Sequence, residues 1–374
     1  MPSCSWIDTF DRIVPCVVKT RLGKNQSWGQ KPFGEKDFPF FFRGIKDLSE
    51  FFTDLGPKQL PSYFSHPRYR SSYLLYFMQL HASRFSCVFD RHPDALKLLL
   101  TENRLRILDL GAGPGTASLA LLLWLSQNIP HDRLDGHSIA FDWYDTNAAI
   151  MEDGSAIFDE FCKLDPFSKM KITVNRYRKP WQYASGDASL VLAGNVLNED
   201  SRDATKRISD ILSASRPPGG VLLLEPALRN ISRGLARIRE ELVSHPRDPA
   251  KPGIRGPCLH HGQCPLGDGR DWCHFSVLHK VPGRIFARYS QMLGSERLRA
   301  KFCYLWLSSP GYPAPAPDAN SRLIISDNLA RQQGRAPRAR TDKGLFLVCE
   351  SGKTQKIQFT TSGGAGRGTI IKTH

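Results

Sequence analysis

From residue 105 onward the chain alternates short apolar runs with longer segments of helical period, and the first junction is Asp109-Leu-Gly-Ala-Gly-Pro-Gly115. Few architectures accept that pattern. Leu105–Leu110 is too short for a helix and too uniformly apolar for a surface strand, so it reads as a buried strand. Thr116–Ser126 opens as a helix directly after the glycines. Ser138–Tyr144 then reads as strand, Ile150–Cys162 as helix, Lys171–Arg176 and Ala188–Ala193 as strands, and Arg202–Ser215 as helix. After the turn Pro217-Pro-Gly-Gly220, Val221–Glu225 is a fifth strand. Such alternation predicts an α/β fold, a mostly parallel sheet covered by helices on both faces, with ligands outside the carboxyl ends of the strands.

The glycine spacing narrows the ligand. Glycines at a strand end let the backbone bend sharply and approach a bound molecule without a Cβ in the way. The spacing Gly111-x-Gly113-x-Gly115 departs from the Gly-x-Gly-x-x-Gly dinucleotide fingerprint. With Asp109 two positions ahead it resembles the turn of S-adenosylmethionine-dependent methyltransferases. In such folds an acid after the second strand bonds the ribose hydroxyls. Asp145 in Asp-Thr-Asn-Ala-Ala-Ile is the candidate here, Asp142 the reserve, and capping of the next helix is the competing role for Asp145. Asn195, in Asn195-Val-Leu-Asn198-Glu199, falls at the carboxyl end of the fourth strand and completes the candidate cofactor set. No Asp/Asn-Pro-Pro-Tyr and no Pro-Cys follows that strand, so neither exocyclic-amine methylation by that route nor covalent attack on a pyrimidine has support.

Outside this core the pattern is less regular. Residues 1–60 are rich in Phe, Pro and Gly, densest at Phe38-Pro-Phe-Phe-Phe42, and suggest no function. Ser71–Asp90 and Asp94–Leu100 read as helices, and Arg233–Val243 as a basic helix. Leu323–Ile325, Leu345–Cys349 and Lys356–Phe359 read as strands of a small β module. Pro310–Pro317 reads as a stiff connector, Arg331–Arg340 as a mobile basic loop and Gly363–Gly368 as a frayed tail. The expected division is 1–100 mostly helical, 101–245 cofactor-binding, 246–362 cysteine-bearing and 363–374 tail. Nothing sets the oligomeric state.

The second chemical feature is Cys258-x5-Cys264-x8-Cys273. Three thiols in a polar loop rich in Pro and Gly call for a ligand, because free they would be reactive. The spacing is neither the paired Cys-x2-Cys of common zinc modules nor the Cys-x3-Cys-x2-Cys of radical enzymes. A cubane cluster needs a fourth thiolate, for which Cys349 at the end of a predicted strand is the choice. Cys303 sits in an apolar, helix-like run and reads as buried. Zinc held by three Cys and one of His260, His261 or His274 is the other reading the residues leave open. The remaining cysteines, among nine in all, stand singly and suggest a reducing compartment rather than a disulfide framework.

Charge divides the chain. Of a net +15, residues 229–374 hold 24 Lys and Arg against 10 Asp and Glu, while the rest is close to neutral. The basic half points to a polyanion, and the interleaved Phe286, Tyr289, Phe302, Tyr304 and Trp306 point to nucleic acid. No apolar run is long enough to cross a bilayer, and Asp8 and Asp11 count against a secretory or transit leader. A cytoplasmic address is expected, or a mitochondrial one in a eukaryote.

Taken with Val196-Leu-Asn-Glu199, Leu224-Glu-Pro226, Lys301-Phe-x-Tyr304 and Asp271-Trp-Cys-His-Phe275, the chain resembles the mitochondrial-type methyltransferase-like proteins of the small ribosomal subunit, a family with bacterial members. The resemblance covers roughly residues 60–360. It implies a Rossmann-like domain binding S-adenosylmethionine, a C-terminal extension carrying a [4Fe–4S] cluster, and action on the small subunit and its RNA during assembly. It also implies Cys258, Cys264, Cys273 and Cys349 as the cluster ligands, in place of zinc. The paired histidines at His260 and His261, and the lack of an acid in Tyr177-Arg-Lys-Pro-Trp181 to hold the adenine amine, depart from the family pattern.

Overall fold

The computed structural model describes residues 6–53, 63–180, 184, 187–197, 203–243, 251–267, 271–278, 283–294, 299–312, 321–325, 343–350, 353–360, 367 and 369–372. The chain divides into two compact units, residues 1–184 with 279–298 and residues 185–278 with 299–374.

The first unit begins with helices. α1 (Trp6–Leu22), α2 (Gln26–Gly29) and α3 (Phe38–Thr53) occupy the segment whose Phe, Pro and Gly content suggested nothing regular. Its Phe-Pro-Phe-Phe-Phe patch is the first turn of α3, where a proline costs no hydrogen bond, and Phe38 and Phe41 are buried there. α4 (Pro67–Ser72) runs through one π turn, Tyr73–Phe77, into α5 (Met78–Phe89), and α6 (Pro93–Leu99) follows. Three parallel strands come next in the order β3-β2-β1: β1 (Arg104–Leu110), β2 (Ser138–Asp145) and β3 (Lys171–Arg178). The register pairs Ile107 with Phe141 and Phe141 with Val174, so the three carboxyl ends lie at one edge. α7 (Thr116–Asn128) is buried from Thr116 to Leu125, as befits a helix apolar on every side. α8 (Ala148–Cys162) carries Asp153, a buried carboxylate that binds Arg21 of α1 at 2.9 Å and Arg70 of α4 at 2.7 Å. α11 (Arg284–Met292) completes the unit, and Asp11 accepts from the Ile285 backbone in its first turn.

In the second unit β4 (Leu190–Gly194) runs parallel to β5 (Gly220–Pro226), with Val191 opposite Val221. β5 pairs antiparallel with β8 (Arg299–Ser308), and β8 in turn takes β6 (Ile254–Gly256) and β7 (Phe275–Leu278) along its other edge. The run around Cys303, expected to be helical, is therefore strand β8. A segment buried on both faces shows no period to the sequence, and Phe302, Tyr304 and Trp306 are at most 4% exposed. Helices α9 (Ala204–Ala214) and α10 (Arg229–Val243) belong to this unit. A separate antiparallel sheet has the order β11-β10-β9-β12, from β9 (Ser321–Ile324), β10 (Lys343–Glu350), β11 (Lys353–Thr360) and β12 (Ile370–Lys372). The three strands read from sequence in this region are present, and β12 was not foreseen. The expected connector from residue 313, the basic loop 331–340 and most of the glycine tail lie outside the described residues.

Each unit pairs parallel strands with helices, β3-β2-β1 in the first and β4-β5 in the second, and the fold is the mixed α/β, Rossmann-like one that the alternation predicts.

Candidate functional site

The glycine turn occupies residues 111–115 at the carboxyl end of β1. Gly111, Gly113 and Gly115 have φ of 60°, 52° and 72°, the left-handed region that a side chain resists. At Gly115 space adds to the constraint: a Cβ would lie 2.0 Å from the Trp143 ring. Trp143 is fixed in turn, its Nε1–H donating to Ser118 Oγ at 2.9 Å. Ser118 Oγ donates to Asp109 Oδ2 at 2.6 Å, and the Ser118 amide donates to the same oxygen at 3.0 Å. Asp109 thus ties the strand end to the second residue pair of α7. It is 2% exposed, and burial pushes its pKa up to about 7 despite the Ser118 hydrogen bonds.

Asp145, at the end of β2, closes the turn from the other side. Its Oδ2 accepts from the Gly113 amide and its Oδ1 from the Asn147 amide, both at 2.8 Å. The competing capping role falls to Asn147, whose side chain accepts from Ile150 N. Burial raises the Asp145 pKa, opposed by those backbone bonds. Each carboxylate oxygen has a second lone pair, so ribose hydroxyls can still be accepted. The reserve candidate, Asp142, is committed elsewhere: mid-strand, buried, bound by Arg106 at 2.6 Å and Asn175 at 2.7 Å. Two features of the turn fit a cofactor. The buried Thr116 Oγ1, at the start of α7, has no hydrogen-bond partner, and a Cβ on Gly113 would meet only the Phe64 ring at 3.8 Å.

In the second unit, Asn195 follows β4 with a φ of 62° and donates its amide to Leu224 O at 2.9 Å. Two residues on, the Leu197 amide donates to Glu225 Oε1 at 2.9 Å, and Glu225 is fully buried. Asn198 and Glu199 lie outside the described residues. Sequence reasoning missed Ser118 and Trp143 and gave Glu225, in Leu224-Glu-Pro226, no task; their roles arise only from pairing across strands and helices.

The cysteines form a second constellation, also in the second unit. Cys258, Cys264, Cys273 and Cys303 line one cavity of about 40 Å³ together with Arg239, Phe275 and Tyr304. Cys349 is buried on β10, its sulfur 3.2 Å from His260 Nε2, and it is electrostatically coupled to Cys273 along with Cys258 and Cys264. The fourth thiol chosen from sequence is not among the residues lining that cavity, where Cys303 stands instead. Burial pushes the Cys258, Cys264 and Cys273 thiols above their ordinary pKa. Burial and Arg239 push His260 down to about 4, leaving it neutral. Among the described residues no three His, Cys, Asp or Glu side chains stand close enough to share a metal ion, so the sulfurs surround a cavity without forming a closed ligand set. Arg367 packs beside this loop, bound to Asp271 at 3.0 Å and to Trp272 O at 3.1 Å.

The aromatic residues offered as a nucleic-acid surface are core. Phe286, Tyr289, Phe302, Tyr304 and Trp306 are all at most 4% exposed and cannot stack on bases. The basic residues do reach the surface: Arg229 and Arg237 of α10 are exposed, and Arg229 sits over the Trp272 ring at 5.2 Å. No described helix is long and apolar enough to cross a membrane.

The sequence profile of the family described as mitochondrial small ribosomal subunit Rsm22 matches residues 76–366. The chain belongs to the Rsm22 family. No curated protein matches this Rsm22-family chain significantly. Among solved structures it is similar to a protein from Listeria monocytogenes designated a class I S-adenosylmethionine-dependent methyltransferase, with 8% identity, 83% of this chain and 82% of that one covered, and a TM-score of 0.40. It is also similar to a protein from Pyrococcus horikoshii designated an RNA methyltransferase (13% identity, 71% and 98% covered, TM-score 0.33). A third is magnesium protoporphyrin IX methyltransferase from Synechocystis PCC 6803 with bound S-adenosylmethionine (11% identity, 75% and 99% covered, TM-score 0.32).

Proposed function

We propose that this Rsm22-family chain is an S-adenosylmethionine-dependent, methyltransferase-like protein of the small ribosomal subunit, acting on its RNA or its assembly. The observation that carries the reading is the glycine turn: three left-handed glycines at a strand end, one backed by Trp143 and one bonded to the acid that ends the next strand. Gly111, Gly113 and Gly115 would face the methyl donor, Asp145 would accept its ribose hydroxyls and Asp109 would hold the turn rigid. The donor supplies an electrophilic methyl group. No side chain of this chain is assigned as acid, base or nucleophile, so the nucleophile belongs to the acceptor.

The Cys258, Cys264, Cys273 and Cys349 thiolates would hold a [4Fe–4S] cluster. Three of these soft donors, Cys258, Cys264 and Cys273, line one cavity and support it, as does a buried guanidinium on the same wall. Zinc bound by three of these thiolates and His260 is the rival, and His260 lies close enough to Cys349 to keep it in view. The basic residues of segment 246–362 and of α10 would dock on RNA, which places the protein with ribosomes in the cytoplasm or, in a eukaryote, the mitochondrion.

A second reading is an assembly factor that binds the donor without transferring from it. The sequence Asn195-Val-Leu-Asn198, which holds neither methyltransferase acceptor motif, favours it. Incubating the protein with small-subunit particles and methyl-tritiated donor separates the two. Label in the particles supports the enzyme; association without label supports the assembly factor. Absence of association overturns both.

A further inference from the structure

Gly113 is where the glycine turn lies open. Beside Gly115 the space is taken by the Trp143 ring, and a Cβ on Gly154 of α8 would fall 2.3 Å from Pro114 Cα, so Pro114 and Gly115 are both packed against protein. A Cβ on Gly113 would meet only two atoms of the Phe64 ring, at 3.8 and 4.0 Å. The Gly113 amide is also the one that donates to Asp145 Oδ2, so the opening adjoins the acid assigned to the donor's ribose. Further along the turn, the buried Thr116 Oγ1 has no hydrogen-bond partner, which an occupant of the turn would supply.

Phe64 comes from outside the strand–helix alternation, and from outside the residues 76–366 that the family profile matches. It lies in a 3₁₀ turn, Tyr63–Ser65, just ahead of α4 and in the same compact unit as the glycine turn. Arg70 Nη1 donates to Phe64 O at 3.2 Å, while Arg70 Nε binds Asp153 of α8 at 2.7 Å. The Tyr63 ring at 4.3 Å and the buried Tyr73 ring, edge-on at 5.0 Å, flank the Phe64 ring. Phe64 itself is only half-buried. Its ring is thus fixed by neighbours, keeps apolar surface in reserve, and bounds the open side of the turn.

We propose that Phe64 is a positioning residue of the methyl-donor site, its ring packing against an S-adenosyl group held at Gly113 and Asp145. This rests on the donor-binding reading above. Contact buries apolar surface on the ring and on the donor, and a ring already held by Tyr63, Tyr73 and Arg70 loses little freedom when it is made. The segment ahead of α4, in a region whose sequence suggests no function, thereby becomes a wall of the cofactor site.

The test uses full-length protein: wild type, Phe64→Ala, Phe64→Tyr and Phe64→Trp. Calorimetric titration gives the affinity for S-adenosylmethionine, and tryptophan emission of the Trp variant is followed against the wild type as the same donor is added. Saturable binding to the wild type is expected, weakened about 10-fold in the Ala variant and recovered to within about 3-fold by the ring-keeping Tyr variant. The Trp variant should show a donor-dependent change in emission beyond that of the wild type. If the Ala variant does not fold, Phe64→Leu, which keeps apolar bulk without a ring, is read in its place for the same direction of change. Wild-type affinity in the folded ring-less variant, a loss that Tyr does not recover, or an emission at position 64 indifferent to donor would each overturn the role of Phe64 and leave the donor site standing. A wild type that binds no donor would overturn the donor-binding reading and this inference together.

Discussion

Asp109 shows what one residue contributes and what a sequence can say of it. Its place two residues before Gly111 marks it as part of the turn, yet the partner that gives it a task, Ser118, is nine residues away and has no signature of its own. Because burial lifts its pKa from 3.8 to about 7, the folded chain keeps a proton that the unfolded chain has already lost between those values. Stability from this group is therefore present at low pH and disappears as pH rises through the window, by about 4 kcal/mol in all. Asp109→Asn keeps an acceptor for Ser118 and does not ionise. Urea unfolding at pH 4 and pH 7 should show the variant gaining on the wild type by that order; parallel pH profiles would refute the assignment. Gly115 makes a second test at this scale. An alanine there meets both the positive φ and the Trp143 ring, and should cost about 3 kcal/mol in the same assay. A loss under 1 kcal/mol would mean that the ring moves aside freely. The glycines were legible because left-handed backbone has few residue types to choose from; Trp143 was not, because nothing local reveals which ring fills the space behind a turn.

Elements with a clear hydrophobic rhythm or sharp punctuation were readable, and elements without either were not. β1, α7, β2, α8 and β3 follow one another with glycines, prolines and capping residues between them, and their observed bounds lie within two residues of those expected. β8 is buried on both faces, so its apolar run carried no period and was mistaken for helix. The early helices were hidden for a different reason. Phe, Pro and Gly are poor helix signals, and α3 holds them in its first turn and against neighbours that only folding supplies. What joins α1 and α4 to α8 is equally long-range: the buried Asp153 carboxylate shared by Arg21 and Arg70. Asp153→Ala strands Arg70 without its counter-ion and should destabilise the first unit by about 3–5 kcal/mol, measured by urea unfolding. An effect below 1 kcal/mol would show that the ion triad merely decorates helices held by apolar contacts.

For the molecule as a whole, charge asymmetry was legible by counting, whereas the aromatics between the charges were misread as a nucleic-acid surface. The aromatics between the basic residues are core, so the RNA docking proposed above rests on phosphate contacts by Lys and Arg. Binding to ribosomal RNA should weaken steeply as salt rises, and Arg229→Gln or Arg237→Gln should each lower the slope of log affinity against log salt by roughly 1. A flat salt response in the wild type would remove the basic half as the docking surface. The cysteine constellation was legible in part: spacing singled out Cys258, Cys264 and Cys273, which line one cavity, whereas Cys303, read as a lone buried thiol, lines it with them because β8 runs beside the loop. Both parts depend on the chain being a cofactor-binding member of its family, which makes calorimetric titration with S-adenosylmethionine the most direct measurement. Saturable binding of one equivalent, abolished by Gly113→Val, is the predicted result. No heat of binding to folded protein would contradict it.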